Sequence, residues 1–290
     1  MAKPLPRDPV SVVVPFLGGE DEARAMLGRL LRLRTRSGDE LIVADNTPGG
    51  IVAPLANERA RVVAAADRRS ASHARNLGAR TASAEWLLFI DADCAPPEDL
   101  LDRYFAEVPG PRCAIVAGEI EGMPHQDALV ARWSRSRRGS WVRHHLSSGP
   151  HPAGITANLL VRRSAFDDLG GFRIGGGGDL DLCWRAQDSG WELVYRADVI
   201  VRHRDRETLA GLVDQAISYG SDQRRLRRMH GPTVQRLPLL RLIAWSLAGA
   251  VAWTARGRFE QARFKLVDAL WFGALGLGQL TGGPRERRAD

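Results

Sequence analysis

The chain has 290 residues, 44% hydrophobic and 26% charged, which is enough for one large α/β domain or two small ones. This composition excludes disordered, collagen-like and disulfide-scaffold proteins. The net charge of +7 indicates an anionic partner, such as nucleic acid, a membrane surface or a phosphorylated substrate. Nearly all of the positive charge is arginine, and a chain rich in arginine, alanine and glycine is also typical of a GC-rich genome.

Apolar runs and helical spacing alternate through the first third of the chain. They predict strands at residues 10–15, 40–44, 61–65 and 85–90, and helices at residues 20–34 and 72–81. This order is typical of a mostly parallel sheet with helices on its faces. Ligands of such sheets bind outside the carboxyl ends of the strands, where Pro15, Asp45 and Asp91 fall. The sequence therefore predicts a binding site at that edge.

The rest of the chain up to residue 228 continues this alternation. It predicts helices at residues 98–107, 165–169, 179–188 and 208–228, and strands at residues 113–117, 156–162, 192–195 and 199–201. Ser164 is the expected N-cap of the helix at 165–169. Residues 118–152, between two predicted strands, are polar and arginine-rich.

The three cysteines, Cys94, Cys113 and Cys183, form no CxxC pair and have no metal-ligand spacing. We therefore expect neither a zinc ribbon nor a disulfide framework, and a reduced, cytosolic compartment fits best. The N-terminal residues include no long apolar segment after the basic ones, so no signal peptide is expected.

Two carboxylates, Asp91 and Asp93, follow the predicted strand at 85–90 at alternate positions. Mg²⁺ and Mn²⁺ take hard oxygen ligands and bridge to substrate phosphates, so this pair suits a metal-bound diphosphate. Asp-x-Asp alone is a weak signal, because a solvated turn has the same pattern. Its neighbours strengthen it: Arg75 suits a diphosphate, and His203, after a strand, either completes a metal's shell or is structural.

Two further carboxylates, Asp179 and Asp181, follow a run of four glycines at residues 175–178. A loop without Cβ atoms can come close to a sugar, and a carboxylate beside it could take a proton from an incoming hydroxyl. Asp179 is alternatively the N-cap of the helix that follows, and one residue can do both.

Five segments carry a resemblance to a known family. In order they are VSVVVPF, ELIVADN, ASHARNLGARTASAEWLLFIDADC, ANLLVRRSAFDDLGGF and GGDLDLCWRAQDSGWELVYRADVIVRH, between residues 10 and 203. The chain resembles an inverting family 2 glycosyltransferase with the GT-A fold. The resemblance implies a Rossmann-like mixed α/β sheet flanked by helices. It also implies sugar transfer from a nucleoside diphosphate donor with Mn²⁺ or Mg²⁺; UDP is the expected nucleotide, with GDP and dTDP open.

The resemblance also implies roles for single residues. Asp91 and Asp93 would hold the metal and donor, His203 would be a further metal ligand, and Asp179 would be the general base. The residues expected to bind substrate are Pro15 and Asp45 at the nucleoside, Arg75 and Asn76 near the nucleotide, Asp91, Asn158 and Asp181. Gly178 stands where the family has an acidic residue. This departure keeps Asp181 open as the base and is the best support for a binding protein that has lost its chemistry.

Other classes fit less well. A nucleotidyltransferase would want a glycine- and Lys/Arg-rich loop after the first strand, and the loop PFLGGEDEA is acidic. No RNP-like, KH or helix-turn-helix signature accompanies the charge, so no nucleic-acid partner is expected.

The C-terminal part changes character from Leu237 onward. Six arginines lie in residues 224–241, and apolar stretches at 237–255 and 266–280 flank a basic linker. We divide the chain into a catalytic domain at 1–232 and a helical extension at 233–290. We expect amphipathic helices lying at the inner face of the cell membrane, with arginines on anionic headgroups. The alternatives are packing on the core or on a second subunit, and a membrane hairpin.

The segment at 118–152 includes Trp133, Trp141 and the pair His144–His145 among several arginines. Aromatic faces stack on sugars or cover lipid, and arginines pair with phosphates. The acceptor is not identified by the sequence, and a phosphate-bearing lipid is the expected class. The alternative is a solvated basic helix whose tryptophans pack inward.

Overall fold

The computed structural model describes residues 7–147, 150–231, 234 and 237–281. Within these residues one sheet forms the centre of the molecule. Its strands are β1 (Val10–Phe16), β2 (Glu40–Asp45), β3 (Ala60–Ala64), β4 (Trp86–Phe89), β5 (Cys94–Ala95), β6 (Cys113–Gly122), β7 (Leu159–Arg162) and β8 (Glu192–His203). They lie in the order β3-β2-β1-β4-β7-β6-β8-β5.

Helices cover the sheet. They are α1 (Glu20–Leu30), α2 (Ala71–Thr81), α3 (Leu100–Tyr104), α4 (Leu129–Ser147), α5 (Arg163–Asp168), α6 (Gly178–Asp188), α7 (Leu209–His230), α8 (Leu239–Ala255) and α9 (Phe259–Thr281). A short 3₁₀ turn, Thr156–Asn158, leads into β7.

The sheet is mixed. Strands β3, β2, β1 and β4 are parallel, β7 is antiparallel to both β4 and β6, and β6 is parallel to β8. The predicted mixed α/β sheet flanked by helices is therefore confirmed.

Alternate residues of the strands enter two different cores. Val12 and Val14 of β1 belong to the cluster that includes Met26 of α1, whereas Val13 belongs to the cluster that includes Phe172. Because both faces of β1 are buried, its sequence is apolar at every position but Ser11 rather than alternating. This is why the strand could be predicted from sequence.

Some boundaries differ from the prediction. Residues 192–195 and 199–201 form one strand, β8, whose register shifts between the pairs Gly118↔Arg196 and Glu119↔Ile200. Helix α5 begins at Arg163 after an extended Arg162, so the prediction of Ser164 as its N-cap is wrong. The order of predicted elements includes none between residues 118 and 152, and much of this segment is helix α4.

The C-terminal helices pack on the rest of the chain. Trp271 of α9 lies in one buried cluster with Trp133 of α4 and Leu212 of α7. Helices α7 and α9 cross at Gly220 and Gly278, where an added Cβ would overlap the other helix's backbone. The inner face of the C-terminal extension therefore packs on the core, as one of the alternatives predicted. The predicted boundary at residues 232–233 lies outside the described residues.

Among the described residues, no helix is both long and apolar enough to cross a bilayer.

Candidate active site

A cleft of about 1280 Å³ lies against the carboxyl edge of the parallel strands. Asp91 lies just after β4 and borders the cleft with Arg75 and Asp179. These three predicted site residues are thus brought together from two separate parts of the chain. The cleft exceeds the roughly 300–1,000 Å³ of a typical small-molecule site.

Arg75 is directed at Asp91 by helix α2. This helix begins after Ser70, whose hydroxyl accepts a hydrogen bond from the His73 amide at 3.4 Å. One turn further on, the Arg75 guanidinium donates to Asp91 Oδ1 at 2.5 Å. Its buried Nε has no hydrogen-bond partner among the described residues. Arg75 therefore retains a buried donor that fits an anion.

Strand pairing places Asp93 beside His203. Strand β5 is antiparallel to the end of β8 in the register Cys94↔His203, and Asp93 Oδ1 lies 3.2 Å from His203 Nε2. Asp93, Cys94 and His203 each offer one possible metal-binding atom within 4.8 Å of the others. The buried Nδ1 of His203 has no hydrogen-bond partner among the described residues.

The electrostatics of Asp93 suit a cation. Burial raises the pKa of Asp93, the charge of Asp91 raises it further, and His203 opposes the shift. Two nearby carboxylates whose negative charges repel each other would both be stabilised by a divalent cation. Carboxylate and imidazole donors fit Mn²⁺ or Mg²⁺, and the Cys94 thiol already donates to the Ala157 carbonyl at 3.6 Å.

The loop between Asp91 and Cys94 is held by a residue that the sequence analysis missed. Arg29 of α1 donates hydrogen bonds to the carbonyls of Ala92 (3.0 Å) and Cys94 (2.9 Å). In the sequence, Arg29 is only a basic residue near the end of α1. Basic residues are favourable near the C-terminus of any helix because of the helix dipole, so this position does not by itself indicate a contact with the loop.

Asp179 is at the second position of α6 and faces the cleft. Its Oδ1 accepts a hydrogen bond from the Leu180 amide at 3.0 Å. Burial raises the pKa of Asp179, with a further contribution from Asp91 and an opposing one from Arg75. The N-cap is Gly177, in the left-handed region, so the alternative of Asp179 as the N-cap is wrong.

The glycine run packs against α7. An added Cβ at Gly175 or Gly176 would overlap the side chains of Arg225 or Asp222. Gly175 also has a φ of +119°, which disfavours other residues. The absence of Cβ atoms is thus explained by contact with α7. At Gly178 a Cβ would lie 3.0 Å from the Ser72 hydroxyl, so an acidic side chain there would press on α2.

Asp181 is fully buried on the other side of α6. Its carboxylate contacts Arg173 at 3.0 Å, Arg185 at 2.8 Å and His230 at 2.9 Å. Among the described residues that line the cleft, Asp181 is not found. Asp181 is therefore held by three structural partners. This corrects the expectation that it binds substrate.

Asp45 and Pro15 end neighbouring strands without lining the cleft. The buried Asp45 carboxylate accepts hydrogen bonds from the amides of Thr47 (3.0 Å), Ile51 (2.8 Å) and Val52 (2.8 Å). It therefore organises the loop after β2. Pro15 is partly exposed and lies opposite Ala44 in the β1–β2 register.

The two predicted asparagines have backbone partners. Asn76 exchanges two hydrogen bonds with the backbone of Phe172, at 2.8 and 2.9 Å. Asn158 is buried, donates to the carbonyls of Glu119 and Val199 and accepts from the Tyr104 hydroxyl. Both side chains tie loops to the sheet, so we leave them out of the substrate site.

Helix α7 contributes arginines that the sequence analysis assigned to a basic tail. Arg224, Arg225 and Arg228 line the cleft opposite α2. The signal was present in their spacing, since positions 224, 225 and 228 share one face of a helix. Their side chains give this wall of the cleft positive charge.

Solved structures share this fold. PcManGT, a mannosyltransferase from Pyrobaculum calidifontis in complex with GDP-Man and Mn²⁺, matches with a TM-score of 0.61 and 18% identity, over 92% of this chain and 87% of that one. A glucosyl-3-phosphoglycerate synthase from Mycobacterium tuberculosis, in complex with Mn²⁺, UDP-Glc and glycerol 3-phosphate, matches with a TM-score of 0.54 and 20% identity, over 77% and 80%. These likenesses show that the chain has the GT-A fold.

The family follows from the sequence itself. Residues 11–170 match the model described as Glycosyl transferase family 2, and the chain belongs to this family. The predicted enzyme class is confirmed, and the nucleotidyltransferase alternative is set aside. The match assigns no role to a single residue, so the roles of Asp91, Asp93, Asp179 and His203 are proposals, and the last two lie beyond the matched residues.

Curated relatives agree with this class. The chain is 24% identical over 249 residues to glycosyltransferase AglE of Haloferax volcanii, covering 83% of this chain and 80% of the relative. It is 28% identical over 185 residues to the pre-mycofactocin glycosyltransferase of Mycobacterium tuberculosis, covering 60% of this chain and 39% of that protein.

Proposed function

We propose that this protein is a metal-dependent, inverting glycosyltransferase that moves a sugar from a nucleoside diphosphate donor to an acceptor hydroxyl. The observation that carries the proposal is that Asp179 and the Arg75–Asp91 pair border one cleft. A carboxylate that can take a proton thus faces groups that can hold a diphosphate.

In the proposed reaction, Asp179 accepts the proton of the acceptor hydroxyl while that oxygen forms a bond to the anomeric carbon. The bond from this carbon to the diphosphate oxygen breaks in the same displacement, and its electron pair leaves with the diphosphate. Attack from the opposite face inverts the anomeric configuration without a covalent enzyme intermediate. Because burial raises the pKa of Asp179, its carboxylate is a stronger base than an ordinary aspartate.

Asp91, Asp93 and His203 are the proposed ligands of the cation, Mn²⁺ or Mg²⁺. When bound, the cation neutralises charge on the leaving diphosphate. Arg75 adds charge-assisted hydrogen bonds on the same side. The two solved relatives named above hold Mn²⁺ together with a nucleotide sugar, which supports this assignment.

UDP is the proposed donor nucleotide, with GDP and dTDP as the alternatives to test. The related structures carry UDP-Glc and GDP-Man, so both nucleotides occur among proteins of this fold. Pro15 and the loop that Asp45 organises, at the ends of β1 and β2, are the proposed border of the nucleoside.

The proposed acceptor carries a phosphate on an amphiphilic molecule. One wall of the cleft carries positive charge from Arg224, Arg225 and Arg228. This charge is separate from the Arg75–Asp91 pair. An anionic group of the acceptor would bind there. The side chains of Trp141, His144 and His145, which the sequence analysis included in this site, lie outside the described residues.

The proposed location is the inner face of the cell membrane, with the C-terminal helices on the lipid surface. Helix α8 exposes Leu240, Leu247 and Val251, which share one face of the helix. Helix α9 exposes Phe259, Leu266, Leu270 and Leu277, whose spacing also defines a single stripe.

Charge favours an anionic membrane as the occupant of these apolar stripes. Exposed Arg241, Arg256, Arg258 and Arg263 flank them. Basic residues beside an apolar stripe are typical of helices that lie in the headgroup region. The three cysteines are buried and form no disulfide among the described residues, which supports a reducing compartment.

One assay tests the reaction. The protein is incubated with UDP-, GDP- and dTDP-sugars and Mn²⁺ or Mg²⁺, and released nucleoside diphosphate is measured. We expect release with one nucleotide class and its loss on chelation. No release with any donor, from protein that binds the nucleotide, would instead favour the inactive binding protein.

A further inference from the structure

Arg137 of α4 lies where two cavities meet. A smaller cavity of about 120 Å³ adjoins the large cleft, and both are lined by Arg137, Asp91 and Tyr219. The smaller cavity also includes His203 in its lining. A cation at this point therefore borders the proposed metal site as well as the cleft. The mechanism given above does not use it.

A buried carboxylate of the C-terminal helix holds Arg137. Asp268 of α9 is 2% exposed, and its Oδ1 lies 2.5 Å from an Arg137 nitrogen and 2.7 Å from the Trp133 indole nitrogen. Its Oδ2 contacts Lys265 at 3.1 Å. A carboxylate is buried in a helix interface only when it is paired, because its desolvation is costly. The pairing thus joins α9 to a side chain that reaches the cavities.

The same cluster limits the directions that Arg137 can take. Its guanidinium lies 5.3 Å from the centre of the Trp133 ring, which itself packs on Trp271. Lys265 is turned toward Trp245 of α8, at 3.8 Å from the ring centre. Of the two cations on Asp268, Arg137 alone is a lining residue of the two cavities described here.

We propose that Arg137 binds a phosphate oxygen of the substrate and that Asp268 is the positioning residue that holds it there. The inference rests on the proposed function, because it needs a phosphate at this site. The planar fork of a guanidinium can serve a carboxylate and a phosphate together. The phosphate belongs either to the donor diphosphate or to the acceptor. The C-terminal extension thereby contributes to the active site.

The test uses two binding probes on the full chain. Calorimetry measures the affinity for UDP, GDP or dTDP with Mn²⁺, and then for dodecyl phosphate below its micellar concentration. We expect Arg137→Gln to weaken one of these affinities by about tenfold, the effect of one charge-assisted hydrogen bond. Weaker nucleotide binding identifies the donor diphosphate, and weaker dodecyl phosphate binding identifies the acceptor.

Arg132→Gln is the matched control. Arg132 also pairs α4 with α9, through Glu260 at 2.9 Å, and the structure does not place it in the lining of either described cavity. If Arg137→Gln changes both affinities by less than twofold, or no more than Arg132→Gln does, the inference is overturned. If the wild type binds no nucleotide with Mn²⁺, the proposed function fails, and the dodecyl phosphate comparison still decides the role of Arg137.

A double variant tests the positioning role. Asp268→Asn should weaken the same probe as Arg137→Gln, and combining the two should weaken it no further, because both act through one guanidinium. Asp268→Glu should restore part of the affinity. Additive effects, or an unchanged affinity in folded Asp268→Asn, would overturn the positioning role. If Asp268→Asn does not fold, the Asp268→Glu variant, alone and combined with Arg137→Gln, decides it.

Discussion

Asp179 and Asp181 are two residues apart on α6, and their carboxylates occupy opposite environments. Asp179 borders the cleft, whereas Asp181 is buried among Arg173, Arg185 and His230. Two residues correspond to about 200° of rotation on an α-helix, so both cannot face the same side. The geometry of α6 therefore distinguishes the two candidate bases.

Replacing the proposed base should separate chemistry from binding. Asp179→Asn keeps the shape of the side chain but cannot accept a proton at neutral pH. We expect turnover to fall by roughly 10²-fold or more, on the scale of general-base catalysis, with donor affinity little changed. Steady-state kinetics and nucleotide binding measure the two effects.

Asp181→Asn is the matched control on the same helix. It should lower the free energy of unfolding by roughly 2–4 kcal/mol. This is somewhat less than the roughly 3–5 kcal/mol for breaking a fully buried pair, because Arg173 is half exposed. Turnover per folded molecule should change little. The opposite pattern, with turnover lost in Asp181→Asn alone, would assign the base to Asp181.

The raised pKa of Asp179 predicts the pH dependence. A carboxyl whose pKa is raised keeps its proton to a higher pH, so the basic form is lost earlier as the pH falls. At saturating donor and Mn²⁺, the acidic limb of the kcat profile should lie above the value near pH 4 of an ordinary aspartate. Asp179→Asn should lack this limb. An identical limb in both proteins would assign it to another group.

Metal-site variants should couple activity to the cation. Asp93→Ala should abolish transfer and weaken donor binding in the presence of Mn²⁺. His203→Ala should raise the Mn²⁺ concentration needed for half-maximal activity, whereas His151→Ala, which loses an ion pair with Asp188, should not. Full activity of Asp93→Asn with an unchanged metal dependence would contradict the proposed site.

Two glycines of α9 offer a matched test of the helix crossing. Gly278→Ala would overlap the backbone of Ile217 and should destabilise the protein by roughly 1–3 kcal/mol. Gly273→Ala meets no atom within 4 Å and should stabilise it by about 0.5–1 kcal/mol through helix propensity. Denaturant unfolding measures both. Equal effects would indicate that α9 does not pack on α7 in solution.

Membrane binding should depend on the exposed stripe of α8. Leu240 and Val251 are 86% and 72% exposed, so replacing both with Glu should not disturb the core. We expect at least about a tenfold loss of flotation with phosphatidylglycerol vesicles. Val108→Glu, at an equally exposed apolar residue outside the helices, is the control. Equal flotation of wild type and double variant, at low and moderate salt, would remove the membrane from the proposed function.

Replacing exposed residues of the α8 stripe tests membrane binding more cleanly than removing residues 237–290 would. The extension supplies Asp268 and Trp271 to buried clusters with α4, so a truncated chain would lose part of its core. From their composition alone these residues look separable from the core, because their apolar character fits a membrane surface and a protein interface equally well.

Strands were predictable where both faces are buried. Trp86–Phe89 is apolar throughout, and Val10–Phe16, which follows Pro9, is apolar apart from Ser11. The two-residue β5 was not predictable, because Cys94 and Ala95 carry no pattern of their own. Their pairing with β8 depends on a partner more than a hundred residues away.

By itself, the sequence determined the class of fold, the Asp91-x-Asp93 motif after a strand and the family. The motif is a local pattern within one strand and the turn that follows, whereas the fold class and the family follow from the order of several such patterns between residues 10 and 203. The sequence also provided both acidic candidates after the glycine run, without choosing between them.

Only the tertiary structure decided which charged groups meet. Arg75 and Asp179 border the same cleft as Asp91, whereas Asp181, Asn76 and Asn158 are occupied by structural partners. It also moved the arginines of α7 from a tail into the wall of the site. Ion pairing and burial depend on distances between elements far apart in the chain, and the sequence pattern within one element does not contain these distances.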